Sequence, residues 1–596
     1  MKKTLLFSVA LAGLMLGSCS SSDDLNGGGN NTGSNQSGSG YVSLSLNLPT
    51  RSGSMSRAEN DKFDDGLVDE YAVKNGTLIL FEGANEADAT FAGAYKLNNL
   101  SMNLVGTTTD NITTTTKITQ KIKNGLSSGT NSFYAIVVLN DNGTLTVDDT
   151  NLKVNGVDFP STNKISDLQS LELTMNASKF NTTGFLMMNA PLSSVKGGET
   201  PPTGAEISVA SKIDKDHIYS TEALAKANSS ATIYVERALA KVDVTATSTT
   251  GNLTDNTSVP YTIKGWILDN TNKKTYYLRN TSNSSDWLSL ATNAVAPDKP
   301  AKPYRFVGDT PMESGVSMYR TYWAKDPNYN TTPSSLSTDF STIGKKAPAT
   351  LKNLGEHDYC LENTFDVPNQ KQNVTTRVIV AAQLQNDGKT FYIVNDDEAH
   401  LLTSDGMKDA VKAAFLSNTD VQAWLKTLLN SGMSIEGTDL EVADITDAGN
   451  NTPTITFKST SSSKFTSSTL PTFTADIDNI VKSIKVATYA KGISYYPVRI
   501  KHFGDDLTPW KKSETPKPTV SDGAYPTANK AGNYLGRYGV LRNNWYTVNV
   551  EGIKKLGSPV VPEVIGDPDD ELAAYISVKI NVLSWAKRTQ GATLGE

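Results

Sequence analysis

VSLSLNL, running from Val42 to Leu48, sets an aliphatic residue at every second place, with Ser43, Ser45 and Asn47 between them. Successive side chains of a strand point to opposite faces, so this is the text of a β-strand with one buried face and one wet face. Val42, Leu44, Leu46 and Leu48 are expected to face a core, and the three polar residues to face water. The pattern returns near the other end of the chain in ISVKINV. There Ile576, Val578, Ile580 and Val582 share one phase, and Ser577, Lys579 and Asn581 the other. A slip of one residue would exchange the faces, so phase makes the two stretches alike more than hydrophobicity does. After Val582 the alternation changes parity at Leu583 and Trp585, where a bulge, or a Trp585 covering a groove mouth, is expected.

Between these ends the chain reads mostly as strands. GTLILFEG (76–83), FYAIVVLN (133–140), TIYVERALAKVDVTA (232–246), YTIKGWILDN (261–270), TRVIVAAQLQ (376–385), KTFYIVN (389–395) and NNWYTVNVEGIKKL (543–556) are rich in β-branched and aromatic residues. Clusters of Gly, Asn, Asp and Pro separate them. Several alternate with period two, which predicts one wet face. Strands without regular helices between them point to β-sandwiches, not βαβ units. One region differs. In 404–432, Val421, Trp424, Leu425 and Leu428 fall at helical spacing and Gly432 ends the run, which predicts two short helices packed on a sheet. The loop-like 247–260 suggests a division between two domains. The stretch GSPVVPEVIGDPDDELAA (557–574) shows no packing face and reads as an extended arm.

At 596 residues the chain is long enough for about two to four domains. The net charge of −7 and the lack of a Lys/Arg stripe interleaved with aromatics give no reason to expect nucleic acid. Lys117, Lys121 and Lys123 lie among Thr and Ile and read as a solvated strand. Of two cysteines, Cys360 in HDYCLENTFDVP reads as a buried small hydrophobe rather than a nucleophile. His217, His357, His400 and His502 show no metal-ligand spacing, and there is no GxSxG, Walker loop or GxGxxG. Asp396-Asp397-Glu398 is the densest carboxylate cluster and is expected to favour a helix N-terminus. No metal, cofactor or enzymatic activity is expected; a structural or binding protein is.

MKKTLLFSVALAGLMLGSCSSSDD combines Lys2 and Lys3, an apolar run from Leu5 to Leu16, and small residues before Cys19. This is the layout of a secretory signal, too short for a transmembrane span. Leu16-Gly17-Ser18-Cys19 resembles the bacterial lipobox, which implies cleavage before Cys19 and its acylation. Ser21-Ser22-Asp23-Asp24 resembles the acidic export signal of surface lipoproteins in Bacteroidetes-type cells. The Gly/Asn/Ser-rich 25–40 is expected to be a disordered tether.

The lipobox leader, LNDNG (139–143), VERALAKVDV (235–244), YCLENTF (359–365), RNNWYTVNVEGIKKLG (542–557) and ISVKINVLSW (576–585) together resemble the fimbrillins of Bacteroidales, the type V pilus subunits, and among them the shaft subunit of the minor fimbrium. The resemblance implies a mostly β protein of two transthyretin-like β-sandwich domains, with the helical stretch as an insertion in the second. The divisions it suggests are a signal peptide 1–18, a tether 19–40, a removable segment 41–57, a first sandwich 58–250, a second 251–556, and an arm with donor strand 557–596. It also implies maturation by an arginine-specific protease. PTRSGSMSRAENDK carries Arg51 and Arg57 in a small, polar setting of the kind proteases cut. SMSRAEN fits the family's site better, giving Arg57–Ala58, with Arg51 as the alternative.

Cutting there would free Val42, Leu44, Leu46 and Leu48, and Ile576, Val578, Ile580 and Val582 of a neighbouring copy would fill the groove they leave. A head-to-tail contact of this kind does not close and generates a filament. Expected partners are other copies of this chain, the protease, tip and anchor subunits, and host or bacterial surface ligands, on a fimbrium at the cell surface whose precursor is lipid-attached to the outer membrane. The alternative is a pilus-tip adhesin, or a surface lipoprotein that grips glycan or host protein. A terminal strand already paired within its own domain in the mature protein would favour a tip or anchor role.

Overall fold

The computed structural model describes most of 38–564 and the strands 576–584 and 587–589; the longest stretches outside the description are 1–37, 50–69, 283–305, 503–535 and 565–575. The first assembly comprises β1 (Gly40–Pro49), β2 (Gly76–Gly83), β3 (Thr90–Leu97), β4 (Asn103–Val105), β5 (Thr113–Ile122), β6 (Ser132–Leu139), β7 (Met187–Asn189) and β8 (Ala231–Arg237). Their spatial order is β3-β2-β6-β7-β8-β1-β5-β4. β8 makes the corner. Its first half, Ala231–Tyr234, runs parallel to β1, and its second half, Val235–Arg237, runs antiparallel to β7. One strand thereby joins the two layers, and β1 faces β2 and β6 across the core. Val42, Leu44, Leu46 and Leu48 pack there with Leu78, Leu80, Phe133 and Val137.

The expected single wet face fails for β2 and β6. Ile79, Phe81, Tyr134 and Ile136 on their other side are buried too, under Leu152, Phe159 and Leu168. Both strands are a middle layer, which is why GTLILFEG and FYAIVVLN read as apolar runs and not as alternations. The short helix α1 (Glu222–Ala227) is capped by Thr221, whose hydroxyl accepts from the Leu224 amide at 3.3 Å. It packs against β1 and β5.

The second assembly comprises β9 (Leu239–Ala246), β10 (Thr250–Asn252), β11 (Pro260–Asp269), β12 (His357–Leu361), β13 (Arg377–Leu384), β14 (Ile493–Arg499), β15 (Asn544–Ile553), β16 (Ile576–Ser584) and β17 (Lys587–Thr589). Its sheets are β12-β9-β15-β16-β17 and β10-β11-β13-β14, and Val242, Val244, Trp266, Val380, Tyr496 and Val548 lie in the core between them. TIYVERALAKVDVTA is two strands, not one. The chain passes from the first assembly to the second at Ala238, ahead of the 250–251 division expected from the sequence. At the bulge in β11, Gly265 holds φ +144, and a Cβ there would stand 2.4 Å from the Lys352 carbonyl oxygen.

β13 and β14 are antiparallel neighbours, yet the residues between them build a module with its own core. Phe391–Val394 pairs with Val486–Tyr489 and closes it. Inside are α2 (Ser404–Ser417), α3 (Thr419–Leu428) and α4 (Ala475–Ser483), with Val411, Phe415, Val421 and Leu425 fully buried. The two expected helices are thus present. α3 stops at Leu428, short of Gly432, and Trp424 is half-buried against Phe473, ring centroids 5.6 Å apart.

Candidate functional site

β1 is an interior strand. It runs antiparallel to β5 along its whole length, from Gly40↔Ile122 to Pro49↔Thr113, and parallel to the first half of β8, with Leu44↔Ala231 and Leu46↔Ile233. Val42, Leu44, Leu46 and Leu48 are each 0% exposed. Each fully buried aliphatic is worth about 1.5–3 kcal/mol, so together they contribute roughly 6–12 kcal/mol before ordering costs. The polar phase does not all face water. Ser43 is 0% exposed and Ser45 half-exposed. The reason is a lid from far along the chain. The Ser43 amide donates to Ser230 Oγ at 2.9 Å, and its carbonyl accepts from the Ser230 amide at 2.7 Å.

Cys19, Arg51, Arg57 and Ala58 lie outside the described residues. The description resumes at Glu70, which is fully buried. Lys241 Nζ lies 2.9 Å from its carboxylate, the Tyr359 hydroxyl donates to the same group, and Arg237 Nε donates to its carbonyl at 2.7 Å. Burial pushes the Glu70 carboxyl up, but the Lys241 charge and the hydrogen bonds from Tyr359 and Lys241 outweigh it and hold the group below the usual range. The chain beyond the arginine-bearing segment is therefore pinned where β2 begins.

The terminal strand is paired at home. β16 runs antiparallel to β15, with Ile576 opposite Ile553, Val578 opposite Val550, Ile580 opposite Val548 and Val582 opposite Tyr546. Those four β15 residues are at most 1% exposed. The pairing runs unbroken past Val582 to Leu583↔Trp545 and Ser584↔Asn544. The irregularity expected after Val582 sits instead in β15, between Val550 and Gly552, while Trp585 lies outside the described residues. On its far side, among the described residues, β16 pairs with the three-residue β17.

The root of the arm, read from the sequence as having no packing face, is docked. Val561 is fully buried with Ile379, Ala381 and Tyr495. Arg377, 2.7 Å from the Asp269 carboxylate, also donates to the Pro562 carbonyl, and Ser558 and Tyr495 exchange backbone hydrogen bonds of 2.8 and 3.0 Å. Two valines between prolines, Val560 and Val561, make too short an apolar signal to stand out in sequence.

The stretches that carry the family likeness meet in space. Arg279 Nε lies 3.1 Å from Glu236, and its Nη2 lies 3.2 Å from Glu362. Arg542 Nε donates to Glu362 at 2.9 Å, and Nη2 to Thr275 Oγ1 at 3.1 Å. Arg237 Nη1 donates to Asn543 Oδ1 at 3.2 Å, and Lys241 Nζ stands 3.9 Å over the Trp545 ring. Glu236, Arg237, Arg279, Glu362 and Arg542 are all at most 2% exposed. Burial raises the Glu236 carboxyl and draws Arg237 down to about 10. This ionic seam lies where the chain crosses between the two assemblies. Sequence reasoning missed it, although charges set inside apolar text (VERALAK, YCLENTF, VLRNN) were its signal.

Cys360 is fully buried on β12, and burial pushes its thiol up, away from reactivity. The Asp396–Glu398 cluster does not begin a helix. Asp396 pairs with Lys485 at 2.7 Å and Asp397 with His400 at 2.8 Å, while α2 starts later, at Ser404, behind its cap Thr403.

Residues 524–591 match the family model described as major fimbrial subunit protein type IV, fimbrillin, C-terminal. No curated protein matches. Similar solved structures include a fimbrilin from Porphyromonas gingivalis, 14% identical over 92% of this chain and 99% of that one, TM-score 0.35. The tip fimbrial protein Mfa3 of the same organism is 12% identical over 91% and 100%, TM-score 0.27. A fimbrial assembly protein from Parabacteroides distasonis is 10% identical over 57% and 95%, TM-score 0.24. The fold rests on the strand pairing itself. The matched family is one of structural subunits, not of enzymes. With the match at 524–591 the likeness is shown: in its C-terminal region this chain is similar to the fimbrillins.

Proposed function

We propose that this chain is a subunit of a surface fimbrium, and that it builds the shaft by passing its terminal strand to a neighbour. The observation that carries this is the place of β1: an interior strand with its four aliphatics fully buried, followed directly by the segment that holds Arg51 and Arg57. Once that segment is cut, no covalent bond holds β1 to its assembly. Its departure leaves an apolar slot between β5 and β8, with backbone groups unpaired on both sides. Export as a lipoprotein acylated on Cys19, and cutting after Arg57 (Arg51 as the alternative), would discard the lipid together with β1. The vacated slot then takes Ile576, Val578, Ile580 and Val582 from the next copy. Tip and anchor subunits would end the fibre, and surface ligands would meet its outside.

The home pairing of β16 is compatible with this in the uncut chain, where β1 still fills the slot. At home, among the described residues, β16 has β15 on one side and the short β17 on the other; in a slot it would lie between β5 and β8. That same home pairing favours the second reading. A chain that keeps β16 on β15 after cutting would serve as a tip or anchor subunit.

Treating the purified precursor with an arginine-specific protease separates the two. The shaft reading predicts SDS-resistant ladders, strongly slowed by Arg57→Ala; unchanged laddering of that variant moves the cut to Arg51. A cut chain that stays monomeric supports the tip or anchor reading.

A further inference from the structure

We infer that the slot accepts its strand in one direction and one register, and that the closed position now held by Ser43 enforces both. The inference rests on the strand-exchange reading above.

Ser43 lies under a lid formed by 215–230. Its backbone is tied on both sides to Ser230, and Ser230 Oγ donates in turn to the His217 carbonyl at 2.8 Å. One step before the strand's core, Tyr41 and Tyr219 exchange backbone hydrogen bonds of 2.8 and 2.9 Å, and α1 packs over β1 and β5. Ser43 is 0% exposed, and its hydroxyl finds no hydrogen-bond partner among the described residues. The position is therefore closed to solvent, and it holds a small side chain. Two places along, at Ser45, the same face is half-exposed.

The four aliphatics of ISVKINV can fill the four core positions in only two ways. Entering in the direction of β1, Ile576 replaces Val42 and Val582 replaces Leu48. Ser577 then falls at the closed position, Lys579 at half-exposed Ser45, and Asn581 at Asn47. The polar residues agree in identity at two of three places, and the single long, charged one meets the partly exposed position. Entering in reverse, Asn581 falls at the closed position and brings an amide where even the Ser43 hydroxyl has no partner among the described residues. A slip by two in the forward sense brings Lys579 or Tyr575 there instead. The backbone agrees. β1 is antiparallel to β5 and parallel to β8, and only a strand of the same direction reproduces both hydrogen-bond patterns.

Home and slot also differ at this residue, which makes the inference testable. In the uncut chain Ser577 lies opposite Gly552, which is half-exposed and where an added Cβ meets nothing within 4 Å. A large residue at 577 is therefore tolerated before exchange and rejected by the slot. The experiment compares full-length wild type, Ser577→Arg, Lys579→Trp and Asn581→Arg, each cut with arginine-specific protease, by ladder yield on SDS gels. Ser577→Arg should keep the wild-type thermal midpoint when uncut and lose ladders by at least about tenfold, because a buried unpaired charge is not accommodated. Lys579→Trp should ladder within about twofold of wild type, because it meets the partly exposed position. Ser577→Arg laddering like wild type would overturn the gate, and Asn581→Arg blocking while Ser577→Arg does not would reverse the direction. Wild type that fails to ladder would instead sink strand exchange itself.

Discussion

Leu46→Asp in the uncut chain should produce ladders without any protease. Leu46 is fully buried among the apolar residues of the first core, so a carboxylate there would lose its hydration. Truncating a buried leucine to alanine already costs about 2–5 kcal/mol, and an unpaired charge costs more. That is comparable to the roughly 6–12 kcal/mol that the four aliphatics of β1 contribute together. β1 should therefore unseat while still tethered, and the slot should open to the tail of another copy. The expected observations are a lowered thermal midpoint at high dilution and protease-independent ladders at high concentration. Both should be checked beside the same substitution in a chain lacking 575–596, which should unfold as easily but form no ladder. A Leu46→Asp chain as stable and as monomeric as wild type would mean that β1 is not what closes the slot.

Glu362→Ala should be the most damaging substitution at the crossing between the assemblies. Glu362 receives Arg279 at 3.2 Å and Arg542 at 2.9 Å, all three side chains essentially without solvent access. Its removal leaves Arg279 with Glu236 and takes from Arg542 the carboxylate it pairs with, and breaking one partner of a buried ionic network costs about 3–5 kcal/mol. Arg542 leads into β15 and Glu362 follows β12, so the loss should loosen both strands. Chemical denaturation should show the unfolding free energy falling by that amount, through a lower midpoint with the slope little changed. A shift below about 1 kcal/mol, the scale of an exposed pair, would show that the seam is not a shared constraint.

The two alternating strands, the sandwich class and the helical insertion could be read in the sequence because each rests on local periodicity. What could not be read came from distant segments. Ser43 is closed by 215–230, which no pattern near residue 43 announces. β2 and β6 are covered on both sides, so their text lacks the alternation that would have placed them. The seam depends on Glu70, Glu236, Arg279, Glu362 and Arg542 converging from five separate stretches, none of which names its partners. The home pairing of ISVKINV was ambiguous for a physical reason: one alternating face suits the groove of either assembly, and sequence does not say which holds it first.

Mixing two chains that can each do only half the reaction tests strand exchange most directly. One lacks 575–596 and can only accept; the other carries Arg51→Ala and Arg57→Ala and can only donate. After treatment with arginine-specific protease, the mixture should yield an SDS-resistant dimer and nothing longer, while each chain alone stays monomeric. Ladders from the tail-less chain by itself, or no dimer from the mixture, would contradict the account.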